Sequence, residues 1–212
     1  MKILNWNCRG LWKSPAVRSL LELQGQVRPD VIFLSESHLT VARAEKMKRK
    51  LSFDEMIMWE SDGRSGGLVL FWQKGLNVTS KEVHSNFWDI RIDENSGSGW
   101  RITGLYGEPS GDRKHLTWEY LRSLQNMIDL PWIILGDFNE ILMGSEKEGG
   151  ALRSQRNMQN FRDALADCNL FDMGYVGDIF TWRRGRIRER LDRAVCDQRW
   201  NDLFPLAGVI HS

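Results

Sequence analysis

Pro131-Trp132-Ile133-Ile134-Leu135-Gly136-Asp137-Phe138-Asn139-Glu140 holds the densest information in the chain. A short apolar, branched run without polar alternation is the pattern of a strand covered on both faces. Gly136 interrupts it, and two polar side chains follow at what becomes the strand's C-terminal end. In layered α/β domains that end is where ligands collect, because the following loop is free to vary. An Asp beside a Gly is ordinarily just a turn residue. Here Asp137 and Asn139 lie two apart and would face one side if extended geometry persists. A carboxylate and an amide aimed at one point can orient a water and hold an anionic oxygen.

Outward from this stretch, residues 113–128 carry Leu116, Tyr120, Leu121, Leu124, Met127 and Ile128 at helical spacing, which predicts a helix leading into the strand. Downstream, the pattern predicts a loop over 143–156 and a helix over 157–168 with Phe161, Leu165 and Cys168 inward. A strand at Phe180-Thr181-Trp182, a turn over 183–186, a strand over 189–195, a helical turn at 200–205 and an apolar strand from Val209 follow. Upstream, residues 2–8 read as a strand with Asn5 and Asn7 on one face. Ser14-Pro15 opens a helix that Arg28-Pro29 ends, and residues 30–37 form the next strand. Strand, helix, strand favours two parallel neighbours. After a short basic helix over 41–51, strands at 55–60, 67–73, 76–83, 88–93 and 100–106 read as an antiparallel meander. Asp62-Gly63, Lys74-Gly75 and the run 95–99 punctuate it, and Trp88-Asp89-Ile90-Arg91-Ile92-Asp93 alternates most clearly. No composition break divides the chain. The expectation is an α/β (α+β) fold of two packed, mostly antiparallel sheets flanked by helices, as a single domain over residues 1–212.

With 42% hydrophobic and 27% charged residues, the composition is that of a globular protein. No run is long enough for a membrane span, and Met1-Lys2-Ile3-Leu4-Asn5-Trp6-Asn7 is too polar for a secretory signal. Cys8, Cys168 and Cys196 have no paired spacing and fit a reducing compartment, so an intracellular location, nucleus or cytoplasm, is expected. The Asn77-Val78-Thr79 sequon is discounted for the same reason. No obligate protein partner is evident. Net charge is +1, but residues 43–50 hold five basic residues and one acid, and residues 183–193 hold six arginines against Glu189 and Asp192. Such runs are usually solvated faces; they also suit a phosphate-lined partner. Most of the ten tryptophans are expected in the core.

Glu36 ends the apolar run Val31-Ile32-Phe33-Leu34. A carboxylate there is costly to bury unless paired or bound to a metal. The alternative, a helix cap, is better filled by Ser37 or Thr40. Asn7, Glu36, Tyr106, Asp137, Asn139 and Asp192 all fall at or inside predicted strands, and two sheets packed face to face could bring such ends to one rim. Oxygen ligands from Glu36 and Asn7 suit Mg²⁺, which keeps most of its waters. No nucleophilic Ser or Cys beside a base, P-loop or zincin helix occurs. Carboxylates, amides and a hard cation without a covalent nucleophile point to metal-assisted hydrolysis of a phosphate ester.

Six stretches in order, Trp6-Asn7-Cys8-Arg9-Gly10, Leu34-Ser35-Glu36-Ser37, Leu105-Tyr106-Gly107-Glu108-Pro109, Gly136-Asp137-Phe138-Asn139, Phe180-Thr181-Trp182 and Arg190-Leu191-Asp192-Arg193-Ala194, resemble the endonuclease/exonuclease/phosphatase superfamily. That superfamily has the deoxyribonuclease I fold. The first stretch and the last two, Thr181-Trp182 followed by Arg190-Leu191-Asp192-Arg193-Ala194, look most like the endonuclease domain of plant LINE-type retrotransposons. The resemblance implies that Glu36 binds Mg²⁺ (or Mn²⁺ in its place) with Asn7 completing the site, and that Asp137 positions or deprotonates the attacking water. It further implies that Asn139 holds the phosphate or that water, that Tyr106 and Thr181 contact phosphate, and that DNA is the partner. Arg9 stands where the apurinic-site repair branch carries Asp, which argues against a dedicated repair enzyme. The superfamily closes with Ser-Asp-His on a final strand, its His oriented by the acid at Asp192; no such triplet occurs here, so a C-terminally truncated copy lacking the last strand is expected. Without that His, Asp192 is expected to ion-pair with Arg190 or Arg193. Three functional readings follow: an endonuclease nicking DNA, a non-catalytic remnant or nucleic-acid-binding module, and a phosphatase of the same superfamily.

Overall fold

The computed structural model describes residues 1–11, 14–61, 66–93 and 99–211. The expected turns at Asp62-Gly63 and 95–98 lie outside the described residues, as does Ser212. The chain divides into two compact units, Met1–Gly99 and Trp100–Ser212.

In the first unit β1 (Ile3–Asn7), α1 (Ser14–Val27) and β2 (Val31–Ser35) form the expected crossover, with β1 and β2 parallel and Asn7 opposite Ser35. α2 (Val41–Lys50) begins at Thr40, whose side chain accepts a hydrogen bond from Arg43 N at 3.4 Å. β3 (Glu55–Trp59) and β4 (Leu68–Trp72) complete a sheet in the order β1-β2-β4-β3. β5 (Val78–Val83) and β6 (Phe87–Asp93) form an antiparallel pair outside that sheet, so the expected meander is split. The cause is burial. β2 and β4 are inaccessible along their whole length, and such strands need cover on both faces. Ile32 and Leu34 pack with Leu20, Ala44 and Met47 from the helices, while Phe33 meets Trp88 of β6 edge-to-face at 5.2 Å. β6 therefore does not alternate between core and solvent as its sequence suggests; Trp88, Asp89 and Ile90 are all buried.

All but the first residue of β7 (Gly99–Tyr106) lies in the second unit, followed by α3 (Lys114–Gln125), β8 (Trp132–Asp137), a 3₁₀ turn (Gly144–Glu146), β9 (Lys147–Glu148), α4 (Gln155–Asp167), β10 (Phe171–Asp172) and β11 (Val176–Gly177). β12 (Trp182–Arg184), β13 (Ile187–Glu189), β14 (Asp192–Cys196), α5 (Gln198–Leu203) and β15 (Ile210–His211) follow. Four strands neighbour one another in the order β10-β14-β8-β7, with β7 and β8 parallel and β14 antiparallel to β8. The strand expected over 189–195 is two strands in different sheets. Between them, Arg190 is held by Glu146 and Asp172 rather than by a ladder partner in line.

α3 also departs from its sequence pattern. Its buried side chains are Lys114, Thr117, Trp118, Leu121 and Leu124, whereas Leu116 and Tyr120 are only half-buried and Met127 is 53% exposed. Trp118 stacks on Phe161 of α4 with centroids 4.4 Å apart, and Phe161 stacks on Phe138 at 5.2 Å. An indole buries roughly 150–250 Å², worth about 4–6 kcal/mol at ~25 cal/mol per Å². That gain turns the helix toward Trp118. Six of the tryptophans, at 72, 88, 100, 118, 132 and 200, are buried as expected. No helix among the described residues is long and apolar enough to cross a membrane.

Candidate active site

Two ladders, one parallel and one antiparallel, bring the second unit's polar residues to one strand end. Tyr106 of β7 is the register partner of Asp137 on β8, and Asp137 is in turn the partner of Asp192 on β14. Register partners on neighbouring strands project to the same face, so the three side chains form a row across adjacent strands. Asp137 is 2% exposed, while Tyr106 and Asp192 are half-buried.

Gly136 makes this row possible. Its φ is +144°, and a Cβ there would lie 2.0 Å from the Leu105 carbonyl oxygen. Gly107 plays the matching part on the other strand, where a Cβ would lie 2.3 Å from Phe138 O. Only hydrogen at these positions allows β7 and β8 to approach so closely.

Asp137 and Asn139 do come together, but through a turn and not through the expected pleat. Asn139 has φ +54°, a left-handed conformation that Asn tolerates better than most residues. Its backbone N–H donates to Asp137 Oδ1 at 2.8 Å, and its Nδ2 donates to Gly107 O at 2.7 Å. Gly107 N donates to Asp137 O at 2.7 Å. The carboxylate and the amide are thus tied to each other and to the loop after Tyr106. Thr181 uses its hydroxyl oxygen to accept from Leu191 N at 3.0 Å and Asp192 N at 2.9 Å, which holds the entry to β14 and leaves the hydroxyl proton to give elsewhere.

Sequence reasoning missed the buried ions beneath this row. Lys114, 3% exposed, donates to Asn139 O and lies 3.5 Å from Glu108 O and 3.6 Å from Glu140 Oε2. An ammonium has three donors, and these three acceptors match them. Burial pulls the Lys114 ammonium below its usual range, opposed chiefly by Glu140. Arg153 forks onto Glu189 at 2.8 and 2.7 Å, and Lys147 joins Glu189 at 2.6 Å. Arg190, just before β14, and Arg193 on it grip Glu146 and Asp172. Burial raises both carboxyls, but the two guanidiniums bring each below its ordinary range. No local signal marks Lys114; its position in a predicted helix looks like a solvated one. Glu140 was visible as the last residue of the opening stretch, without any hint of its partners.

In the first unit Asn7 ends β1 and Glu36 follows β2. Asn7 Nδ2 donates to Glu36 Oε1 at 2.9 Å, which orients the carboxylate. Arg9, Gly10, Glu36 and His38 all take positive φ, at 45°, 97°, 49° and 51°. A left-handed non-glycine residue costs on the order of 1 kcal/mol or more and persists where its surroundings over-determine it. Here Cys8 N donates to Ser35 O (3.1 Å), Gly10 N to Glu36 O (2.8 Å), Leu11 N to Ser37 O (2.9 Å) and Ser37 N to Gly67 O (3.0 Å). Thr40 fills the cap of α2, so Glu36 has no capping duty. Among the described residues no group of three or more His, Cys, Asp or Glu could hold a metal. One oriented carboxylate beside an amide nevertheless fits a hard cation that takes only one or two protein oxygens and keeps its waters.

A mixed α/β fold of this kind is found in solved structures of nucleases and phosphatases. The likenesses include the 3′ phosphatase NExo from Neisseria bound to a product DNA hairpin, with a TM-score of 0.72, 16% identity and coverage of 93% of this chain and 87% of that one. The endonuclease domain of TRAS1, a telomere-specific non-LTR retrotransposon, matches with a TM-score of 0.69, 16% identity and coverage of 95% and 87%. An AP endonuclease from Archaeoglobus fulgidus matches with a TM-score of 0.74, 12% identity and coverage of 92% and 86%. These likenesses show the deoxyribonuclease-I-like fold, whose strands are mostly antiparallel here as expected. Through residues 4–210 the sequence matches the endonuclease/exonuclease/phosphatase family, and the chain belongs to that family. No curated protein sequence matches it at a significant level.

Proposed function

We propose that the chain is a divalent-cation-dependent phosphodiesterase that nicks DNA, an endonuclease of the LINE retrotransposon type working inside the cell, with both units serving as one catalytic domain. The observation that carries this reading is the row Tyr106–Asp137–Asp192, with Asn139 tied to Asp137. The likeness to a retrotransposon endonuclease domain and to a phosphatase holding a DNA hairpin supports it.

Glu36 and Asn7 would hold Mg²⁺, or Mn²⁺ in its place; when bound, that ion neutralises charge on the phosphoryl oxygens. Asp137 takes the proton from the attacking water, its carboxylate oriented by the Asn139 N–H. The remaining Asn139 amide hydrogen and the Tyr106 hydroxyl donate to phosphoryl oxygens as charge builds there. Thr181 keeps Asp192 in register with Asp137 and offers its hydroxyl proton to phosphate. The proposed reaction rests on Asp137, Asn139, Tyr106 and Thr181, with Glu36 and Asn7 for the cation.

The test is relaxation of supercoiled plasmid with Mg²⁺ by the chain, by Asp137→Ala, and by the chain extended through a Ser-Asp-His segment. Nicking should fall by about 10²–10⁴-fold in Asp137→Ala. Silence from all three with salt-sensitive DNA binding retained would replace the enzyme reading by that of a nucleic-acid-binding module.

A further inference from the structure

Two basic runs stand out in the sequence, and the structure treats them oppositely. In the run 183–193, Arg183 pairs with Asp178, Arg188 with Glu148, and Arg190 and Arg193 with Glu146 and Asp172. Four of its six arginines are neutralised by acids of the same unit. In the run 43–50 the acid Glu45 pairs with Lys48, and Arg43, Lys46 and Lys50 are exposed. These three fall at i, i+3 and i+7 of α2, hence on one face. They rim a concavity of about 340 Å³ whose apolar floor is Leu11, Val17, Leu39 and Met47, and no acid among the described residues lines it.

The arrangement is unfavourable by itself. Arg43 sits in the first turn of α2, where the helix dipole disfavours a cation; the turn holds no acid of its own, and Glu60 Oε1 accepts from Val41 N at 3.4 Å beside it. Arg43–Lys46 and Lys46–Lys50 are like-charged pairs at neighbouring helical positions, which repel. The dipole accounts for cations in the last turn, at Lys48, Arg49 and Lys50, but not for Arg43. A polyanion laid across the face relieves all of these terms together. The floor beneath the charges belongs to the core: Leu11, Leu39 and Met47 are buried and Val17 is half-buried, so the cations of the rim are what a ligand meets. A sugar–phosphate backbone suits this face, with its phosphates against the rim.

The place is also informative. Leu11 lies in the loop that follows Asn7 and Leu39 in the loop that holds Glu36, and the two loops are cross-linked by Gly10 N to Glu36 O at 2.8 Å and Leu11 N to Ser37 O at 2.9 Å. We propose that Arg43, Lys46 and Lys50 of α2, around this floor, form a track for the backbone of duplex DNA, whereas the arginines of 183–193 are structural. The track rests on the proposed action on DNA and names the surface through which DNA reaches the Glu36 loop.

Binding of a fluorescein-labelled duplex in EDTA, by anisotropy across a salt series, tests it. Arg43→Gln/Lys46→Gln/Lys50→Gln is compared with an equal loss of charge, Arg183→Gln/Arg184→Gln/Arg188→Gln. Three phosphate contacts predict that the α2 variant loses roughly 2–3 from the slope of log K against log salt and on the order of 10²-fold in affinity at 0.1 M salt. The second variant should shift the slope by less than about 1. The thermal midpoint of the α2 variant should be unchanged or higher, since repulsion is removed, which separates lost contacts from lost folding. Equal effects of both triples, or an unaltered slope with the α2 variant, overturn the track. So does α2-dependent binding to phosphatidylserine vesicles in the absence of duplex binding. Plasmid nicking by the wild type that the α2 triple leaves intact would sink the track alone; absence of both nicking and duplex binding would sink the DNA reading with it.

Discussion

Replacing Lys114 by Met tests whether the ions beneath the strand ends hold the site together. Lys114 is 3% exposed and Glu140 is 0% exposed, with Nζ 3.6 Å from Oε2. At an effective dielectric of about 20, two charges at that separation attract by roughly 4–5 kcal/mol. Methionine keeps much of the stem's volume, so packing changes little and the charge term dominates. What remains for Glu140 is a hydrogen bond from Ile141 N at 3.0 Å and Arg153 at 3.9 Å. Breaking one side of a buried pair costs about 3–5 kcal/mol, mostly as an uncompensated charge. Lys114→Met should therefore lose about 3 kcal/mol, read as a fall in the urea midpoint of the order of 1 M. Glu140→Gln in the same background should return a substantial part, about 1–2 kcal/mol, because the stranded charge is gone. The Asn139 and Glu108 carbonyls would still lack their donor, so nicking should remain slow in both variants while duplex affinity holds. A single variant within ~0.5 kcal/mol of wild type, or a double variant less stable than the single, would refute the reasoning.

Two further outcomes follow from the same unit. Gly136→Ala places a Cβ 2.0 Å from Leu105 O at φ +144°, so it should destabilise by roughly 3 kcal/mol or more and abolish nicking; circular dichroism melting checks this. On acidification, Glu146 and Asp172 have folded values below their ordinary 4.5 and 3.8, so the unfolded chain binds protons first. Their contribution is present above about pH 4.5 and is lost as the pH falls through the folded values; urea midpoints from pH 7 to 3 should show that fall, and Glu146→Gln should flatten it.

Elements were legible where periodicity and punctuation were strong. The β1–α1–β2 crossover, Thr40 as a cap and the β8 strand all follow from local chemistry. The register of Tyr106, Asp137 and Asp192 was not legible, since pairing between residues far apart in the chain leaves no local trace. Nor was the orientation of α3, which Trp118 and Phe161 decide against the Leu116–Tyr120 pattern. Asp137 and Asn139 were rightly seen as neighbours, but for the wrong local reason, since a left-handed turn and not a pleat joins them.

The two basic runs show the division most plainly. Sequence alone determines how many charges each carries and on which helix or strand they fall. Only tertiary structure decides which of them meet an acid. Glu146 and Asp172 reach Arg190 and Arg193 across 18 to 47 residues of chain, whereas Arg43, Lys46 and Lys50 gather around apolar side chains. Charge interactions fall off with distance in space and are indifferent to distance along the chain, so composition sets the ions and the fold chooses their partners.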